Sequence, residues 1–149
     1  MAPQPAPARH EVALDHLCRV FARLDLVTLA GTPAGDRMVF TVTEGVVTGD
    51  RLRGRSVGAG ADWFVAGPGG IGSLDVRFTL ETDDGALVLL QYNGRTDIAG
   101  GPGAAPVYVA PRFETGDERY RWLNTTLAIG KGTFDPVELT ITYDWYEVR

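Results

Sequence analysis

The chain has 149 residues, a length that suits one domain with one hydrophobic core, and its 44% hydrophobic and 22% charged residues are ordinary for a globular protein. The 14 Lys and Arg residues against 19 Asp and Glu residues give a net charge of −5, so the broad positive field that binds a phosphate backbone is missing and nucleic acid is not an expected partner. No stretch approaches the ~20 apolar residues of a membrane span, and the single cysteine excludes an intrachain disulfide, so we expect a cytoplasmic protein that does not enter a membrane.

The N-terminal segment is rich in proline and has no continuous apolar run. We therefore predict a disordered tail over residues 1–12 and a single domain over residues 13–149. The segment 15–29 is ambiguous, because its apolar residues fit both the spacing of a helix and the alternation of a strand.

Alternation with period two dominates the remainder of the chain and predicts strands; the clearest examples are residues 38–43, 74–81 and 139–146. Asp84-Gly85 lies between alternating runs and predicts a hairpin. The glycine-rich stretch 67–72 predicts another turn, since a dinucleotide-binding loop would open a helix and here a strand follows.

Two further segments are predicted from their turn and capping residues. Residues 96–105 contain three glycines and a proline, which indicates a mobile loop. Asp117 can cap a short helical turn, because aspartate accepts hydrogen bonds from the free N–H groups of a first turn. About eight strands with short turns and little helix predict an all-β fold, an antiparallel barrel or a sandwich.

The usual reactive residues lack partners in the sequence. His10 and His16 have no cysteine or histidine cluster at metal-ligand spacing, so we predict no metal and no other cofactor. Cys18 has no apparent base partner and is expected to pack as a small hydrophobic residue. Neither Ser56 nor Ser73 lies in a nucleophile elbow.

An Asp/Arg/Trp group is the most informative feature that remains. Asp75 and Arg77 are two residues apart on a predicted strand and share a face. On the outside of the sheet they are solvated charges, whereas on the inside they form a partly desolvated pair suited to proton transfer. Asp62 and Trp63 are neighbours, so they line one pocket only if a bulge near Gly60 changes the alternation.

At these positions the chain resembles the bacterial and fungal family known as domain of unknown function 3237. The resemblance runs from about Leu14 to the C-terminus and rests on four segments, which are Gly49–Gly54, Gly60–Trp63, Leu74–Gly85 and Pro111–Asn124. It implies a compact antiparallel β-barrel similar to the allene-oxide-cyclase barrels, commonly self-associated. It implies no established reaction and no catalytic residue.

From the chemistry of the residues we predict a pocket for a small, largely apolar organic or polyketide-like molecule and cofactor-independent isomerase, cyclase or lyase chemistry. Asp62 or Asp75 would move the proton, and Arg77 would stabilise developing negative charge. Side chains that would bind the substrate are Trp63, Tyr92, Tyr108, Arg112, Glu114 and Trp122. Glu114 is also a second candidate acid. The alternatives are a non-catalytic barrel that carries the same kind of ligand and a structural barrel with a filled lumen.

Self-association is expected on a separate argument. If the charged face of residues 74–81 lines a wet pocket, the aliphatic face that contains Leu74 and Val76 must be covered from outside, because monomers rarely expose so large an apolar patch. A homodimer or a higher symmetric oligomer follows.

Overall fold

The computed structural model describes residue 1, residue 4 and residues 6–149. Within this part of the chain, eight antiparallel strands close a barrel in which each strand pairs with its neighbours in sequence and the last pairs with the first. The strands are β1 (Leu14–Thr32), β2 (Gly35–Thr48), β3 (Gly54–Ala66), β4 (Ile71–Thr82), β5 (Leu87–Asp97), β6 (Val107–Glu114), β7 (Ala128–Asp135) and β8 (Thr140–Val148). The predicted all-β antiparallel barrel is confirmed. The predicted tail, residues 1–12, includes residues 2, 3 and 5, which lie outside the described residues.

The ambiguous segment 15–29 belongs to the 19-residue strand β1, which pairs with β2 and with β8. Its pairing with β8 shifts between His16 and Cys18, and this bulge lets the consecutive residues Leu17 and Cys18 both be buried. Pairing on both sides therefore decides the conformation where the local pattern fits two structures.

Alternation along β4 places its apolar side chains inside the barrel. Leu74 and Val76 are buried, whereas Asp75 and Arg77 are exposed. The prediction that Asp75 and Arg77 face the lumen is wrong, because unpaired charges lose too much hydration in so narrow an interior. The argument from an outward aliphatic face fails for the same reason, and self-association itself stays a prediction.

The two ends of the barrel differ. At the closed end lie the β2–β3, β4–β5 and β6–β7 connections, and the β6–β7 connection contains a 3₁₀ helix, Glu118–Thr125, whose Leu123 is fully buried in the core. Asp117 precedes this helix, and its carboxylate accepts a hydrogen bond from the Arg119 amide at 3.0 Å, as the capping pattern predicts. In the described residues no helix has the length and apolar character required to span a membrane.

At the open end lie the other four connections. Residues 67–70 form the β3–β4 turn, which includes a 3₁₀ turn at Pro68–Gly70, and the β5–β6 loop covers residues 98–106. At the opposite end, the predicted Asp84-Gly85 hairpin joins β4 to β5, with Gly85 at a φ of 87°. Such positive φ values favour glycine, which has no Cβ to clash with the backbone.

An aromatic cluster fills the middle of the barrel. The Tyr92 and Trp145 rings meet edge to face with centroids 5.4 Å apart, and Phe113 contacts Trp145 at 6.0 Å. Gly130 supplies the space, since a Cβ there would lie 2.5 Å from Cδ1 of Trp145. Between this cluster and the closed end, the barrel is packed with aliphatic side chains.

Gly130→Ala should lower the free energy of unfolding by about 1–3 kcal/mol, the usual cost of forcing an additional methyl group into a packed core. Urea denaturation measures the change. Gly116→Ala is the control, because a Cβ at Gly116 meets no atom within 4 Å, and it should stay within about 0.5 kcal/mol of the wild type. Equal stability of the two variants would contradict the packing described.

Candidate active site

Between the aromatic cluster and the open end lies a cavity of about 250 Å³. Its walls are mainly aliphatic and aromatic side chains, such as Phe40, Phe64, Val76, Phe78 and Ile141. Pro102 and Gly103 of the β5–β6 loop line its outer part. Among the described residues that line it, Asp62 alone carries a charged side chain, so a single carboxyl group faces an otherwise apolar space.

Asp62 faces the cavity because of its place in β3. It pairs with Phe40 of β2 on one side and Val76 of β4 on the other, and both of these are buried inside the barrel. Paired residues in adjacent strands point to the same face of a sheet. The alternation that directs Phe64 inward therefore directs the carboxyl group of Asp62 inward as well.

The carboxyl group also takes part in the backbone pairing of the sheet. Its Oδ1 accepts a hydrogen bond from the Asp75 amide of β4 at 3.0 Å. The paired residues of β3 and β4 are interrupted here, between Asp62↔Val76 and Val65↔Ser73. The Trp63 carbonyl within this gap accepts a hydrogen bond from Arg37 Nη1 at 2.9 Å instead. One carboxyl oxygen is thus fixed in the wall, while Oδ2 has no hydrogen bond from any described residue.

The surroundings of Asp62 favour its protonated form. Burial among apolar side chains raises the pKa of Asp62 to about 7. The hydrogen bond from the Asp75 amide opposes this rise, and the negative charge of the Asp75 carboxylate adds to it. Near neutral pH the group can therefore both give and take a proton, which is the property of an acid/base catalyst.

Two phenol groups lie at the inner end of the cavity. Tyr92 and Tyr143 both line it, and their rings meet edge to face with centroids 6.0 Å apart. Burial raises the pKa of Tyr92 well above its ordinary value, and the charge of Asp62 raises it further. The pKa of Tyr143 is raised by burial and then by its neighbours Tyr92 and Asp62. Both phenols thus stay neutral and can donate hydrogen bonds.

The structure separates the residues that the sequence grouped together. Asp62 and Tyr92 line the cavity, whereas the other predicted site residues do not. Those on the outer face of the barrel are Trp63, Asp75, Arg77, Tyr108, Arg112 and Glu114. Trp122 lies at the closed end, under the guanidinium group of Arg51 at 3.9 Å from the ring centroid.

The alternation of strands explains these corrections. No bulge lies between Asp62 and Trp63, so the two neighbours point to opposite faces, and the break in pairing near Gly60 lies before them. Tyr143 belongs to the cavity although the sequence did not suggest it. The signal that could have identified Tyr143 was the alternation of residues 139–146, because Tyr143 belongs to the apolar face, which lines the interior.

The potential metal ligands and Cys18 do not form a second site among the described residues. Among the described residues, no group of three or more His, Cys, Asp or Glu side chains is arranged to hold a metal ion. Cys18 is fully buried, and burial raises the pKa of its thiol to about 12. It packs as a small hydrophobic residue, as predicted.

Comparison with known proteins assigns the chain to a family. The model of a family described as protein of unknown function (DUF3237) matches residues 12–148. The chain belongs to this family. It is 32% identical to a UPF0311 protein of Rhodopseudomonas palustris over 124 residues, which is 74% of this chain and 81% of that protein.

Two further proteins that resemble this chain are informative. A β-barrel-like protein of Acinetobacter baumannii superposes on this chain with a TM-score of 0.81 and is 29% identical to it. The superposition covers 98% of this chain and 99% of that protein. The hydroalkoxylation enzyme phnH of Penicillium herquei is 33% identical over 90 residues, which is 60% of this chain and 53% of that enzyme.

Replacement of Asp62 by Asn should change how stability depends on pH. The native pKa of about 7 exceeds the ordinary value of 3.8, so the native state of the wild type binds more protons than the unfolded state between these values, and its free energy of unfolding falls as pH rises through that window. Asparagine cannot ionise, and its side-chain oxygen can still accept the hydrogen bond from the Asp75 amide. Asp62→Asn should therefore gain stability relative to the wild type between about pH 4 and pH 7, by a few kcal/mol at about 1.4 kcal/mol per pKa unit.

Urea denaturation at acidic and at mildly alkaline pH tests this expectation. Asp25→Asn, which removes an exposed carboxylate of β1, is the control for the loss of one negative charge. A stability difference between wild type and Asp62→Asn that is the same at both pH values would show that the carboxyl group is not held in its protonated form.

Proposed function

We propose that this protein is an enzyme that uses Asp62 as a cofactor-independent acid/base group on a small, largely apolar organic molecule bound in the barrel. The observation that carries the proposal is a single carboxyl group, held through one oxygen by the Asp75 amide, in an otherwise apolar cavity. A binding pocket without chemistry has no need of such a group, because its desolvation costs free energy that apolar contacts would not incur.

The reaction class that fits best is addition of a hydroxyl group to a carbon–carbon double bond within one molecule. The relationship to a hydroalkoxylation enzyme supports this class. Asp62 gives its Oδ2 proton to one alkene carbon, the substrate oxygen forms a bond to the other, and the hydroxyl proton passes to the carboxyl group. The product is a cyclic ether with the composition of the substrate, and Asp62 returns to its starting form without an added reagent.

The remaining side chains would orient the substrate. The neutral phenols of Tyr92 and Tyr143 donate hydrogen bonds to a substrate oxygen at the inner end of the cavity, and the apolar walls hold the hydrocarbon part. Because none of the described lining residues is a lysine, arginine or histidine, the site favours an uncharged ligand over a carboxylate or a phosphate. The cavity of about 250 Å³ is slightly smaller than the roughly 300–1,000 Å³ of most ligand pockets, so it suits a compact molecule.

The test uses 2-(3-methylbut-2-enyl)phenol as a probe, with the cyclic ether measured by gas chromatography and mass spectrometry. In D₂O the product should carry one deuterium on the carbon that receives the proton. Asp62→Asn should lower the turnover rate by about 10²–10⁴-fold, the typical contribution of a positioned acid or base, and leave binding of the probe within a few-fold of the wild type. Glu114→Gln, on the outer face, is the control and should keep full activity.

Other outcomes distinguish the alternatives. A wild type that binds the probe and related alkenyl phenols but converts none of them would favour the non-catalytic carrier. Normal turnover by Asp62→Asn would remove Asp62 from the mechanism.

The pH dependence of kcat/KM gives a second test of the same role. Addition begins with proton donation, so the protonated form of Asp62 is the active one. Since its pKa lies at about 7, kcat/KM should fall about tenfold per pH unit above that value and level off below it. A profile that rises through neutral pH would instead require an ionised base in the free enzyme.

A further inference from the structure

The outer wall of the barrel has a depression over the middle of β3. Residues 58–60 pair with neither neighbour, because pairing to β4 stops between Val57 and Ala61 and the β2–β3 register is also broken there. A surface hollow of about 350 Å³ lies over this stretch, bordered by Thr41, Ala61, Arg77 and Leu89. Because glycines 58 and 60 have no side chains, its floor is largely bare backbone.

A large aromatic side chain projects beside this hollow. Trp63 is 43% exposed and borders the hollow from the strand position two residues beyond Ala61. Its neighbour across the β2–β3 pairing is Val39, which also borders the hollow. An exposed indole next to a hollow with a small-residue floor is typical of interaction surfaces, where tryptophan is a frequent anchor.

Two opposite charges complete this face. Asp75 and Arg77 point outward from β4, and neither forms an ion pair with another described residue. Arg77 lies beside Ala61 across the β3–β4 pairing, and the same register brings Asp75 level with Trp63. One row of the face therefore holds the indole and the acid, and the row two residues along holds the small residue and the base.

This arrangement is complementary to itself. A two-fold axis that runs across the strands at the level of Asp62 and Val76 would stack β3 on β3 and β4 on β4 in opposite directions. The indole row of each copy then meets the small-residue row of the other. We propose that a second copy of this chain packs on this face, with Trp63 in the partner's hollow and Asp75 paired with the partner's Arg77.

The observations favour a second copy over an unrelated partner. In an isologous interface each contact occurs twice, so one surface must carry both halves of every contact. Here Trp63 and the hollow both lie on β3, and Asp75 and Arg77 both lie on β4. Each pair is divided between the same two rows. The dimer is independent of the chemistry in the cavity, although the same β4 residue, Asp75, supplies the amide that holds Asp62 from within.

Reversal of the charges tests the reciprocal pairing. The full chain is studied by sedimentation velocity and light scattering over a wide concentration range, with circular dichroism to confirm that each variant is folded. Asp75→Arg and Arg77→Asp each create two contacts between like charges and should raise the dimer dissociation constant by about 100-fold or more. The combined variant Asp75→Arg/Arg77→Asp exchanges the charges and should restore the wild-type constant.

Truncation of the aromatic side chain tests the fit into the hollow. Trp63→Ala should raise the dissociation constant at least about tenfold, as for an anchor at the centre of an interface. Tyr108→Ala is the matched control, since Tyr108 is 53% exposed but lies on β6, outside this face, and should leave the constant unchanged. A monomeric wild type, a combined variant that fails to recover, or a dimer that is insensitive to Trp63→Ala would overturn the proposal.

Discussion

Because the eight strands close on themselves, each strand has one face that must fill an interior only a few side chains wide. That requirement selects the apolar face of every alternating strand for the inside and leaves the charged face to water. It also explains why Asp75 and Arg77 lie on the outer face of β4. On this outer face Arg55 of β3 and Glu81 of β4 form an ion pair across neighbouring strands, with 3.7 Å between Nη2 and Oε1.

Side chains fill the two halves of the barrel unequally, and the cavity lies in the less filled half. Large aromatic rings and the closed-end aliphatic core occupy one half of the barrel, while the half toward the open end keeps a cavity. Asp62 is the exception to the apolar interior, and the wall accommodates it by using the carboxyl group in place of a backbone acceptor for the Asp75 amide. The break in pairing that follows is relieved by Arg37, which donates to the displaced Trp63 carbonyl. A half-buried carboxyl group whose pKa is raised to about 7 is costly for stability and suited to proton transfer.

The two faces of β3 are connected through this same segment. Asp62 points into the cavity and Trp63 points out beside the surface hollow, so one short stretch of sequence contributes to both the proposed site and the proposed dimer face. The structural likeness to the Acinetobacter baumannii protein supports the barrel along nearly the whole chain, since the superposition covers 98% of it. The proposed chemistry depends on far fewer groups, namely one carboxyl and two phenols that line the cavity.

The sequence alone determined the antiparallel barrel or sandwich, the positions of most turns and the cap at Asp117, because alternation and turn residues are local signals. It also singled out Asp62 and Tyr92. It could not show which face of each strand is inside, since alternation gives two faces but not their direction, and so it grouped Asp75, Arg77 and Trp63 with a pocket that they do not line. Strand β1 was undecided for a related reason, because its residues fit two periods and pairing with β2 and β8 made the choice. Only closure of the barrel assigned the faces, because the direction of a side chain depends on which neighbours surround the strand and not on its own residues.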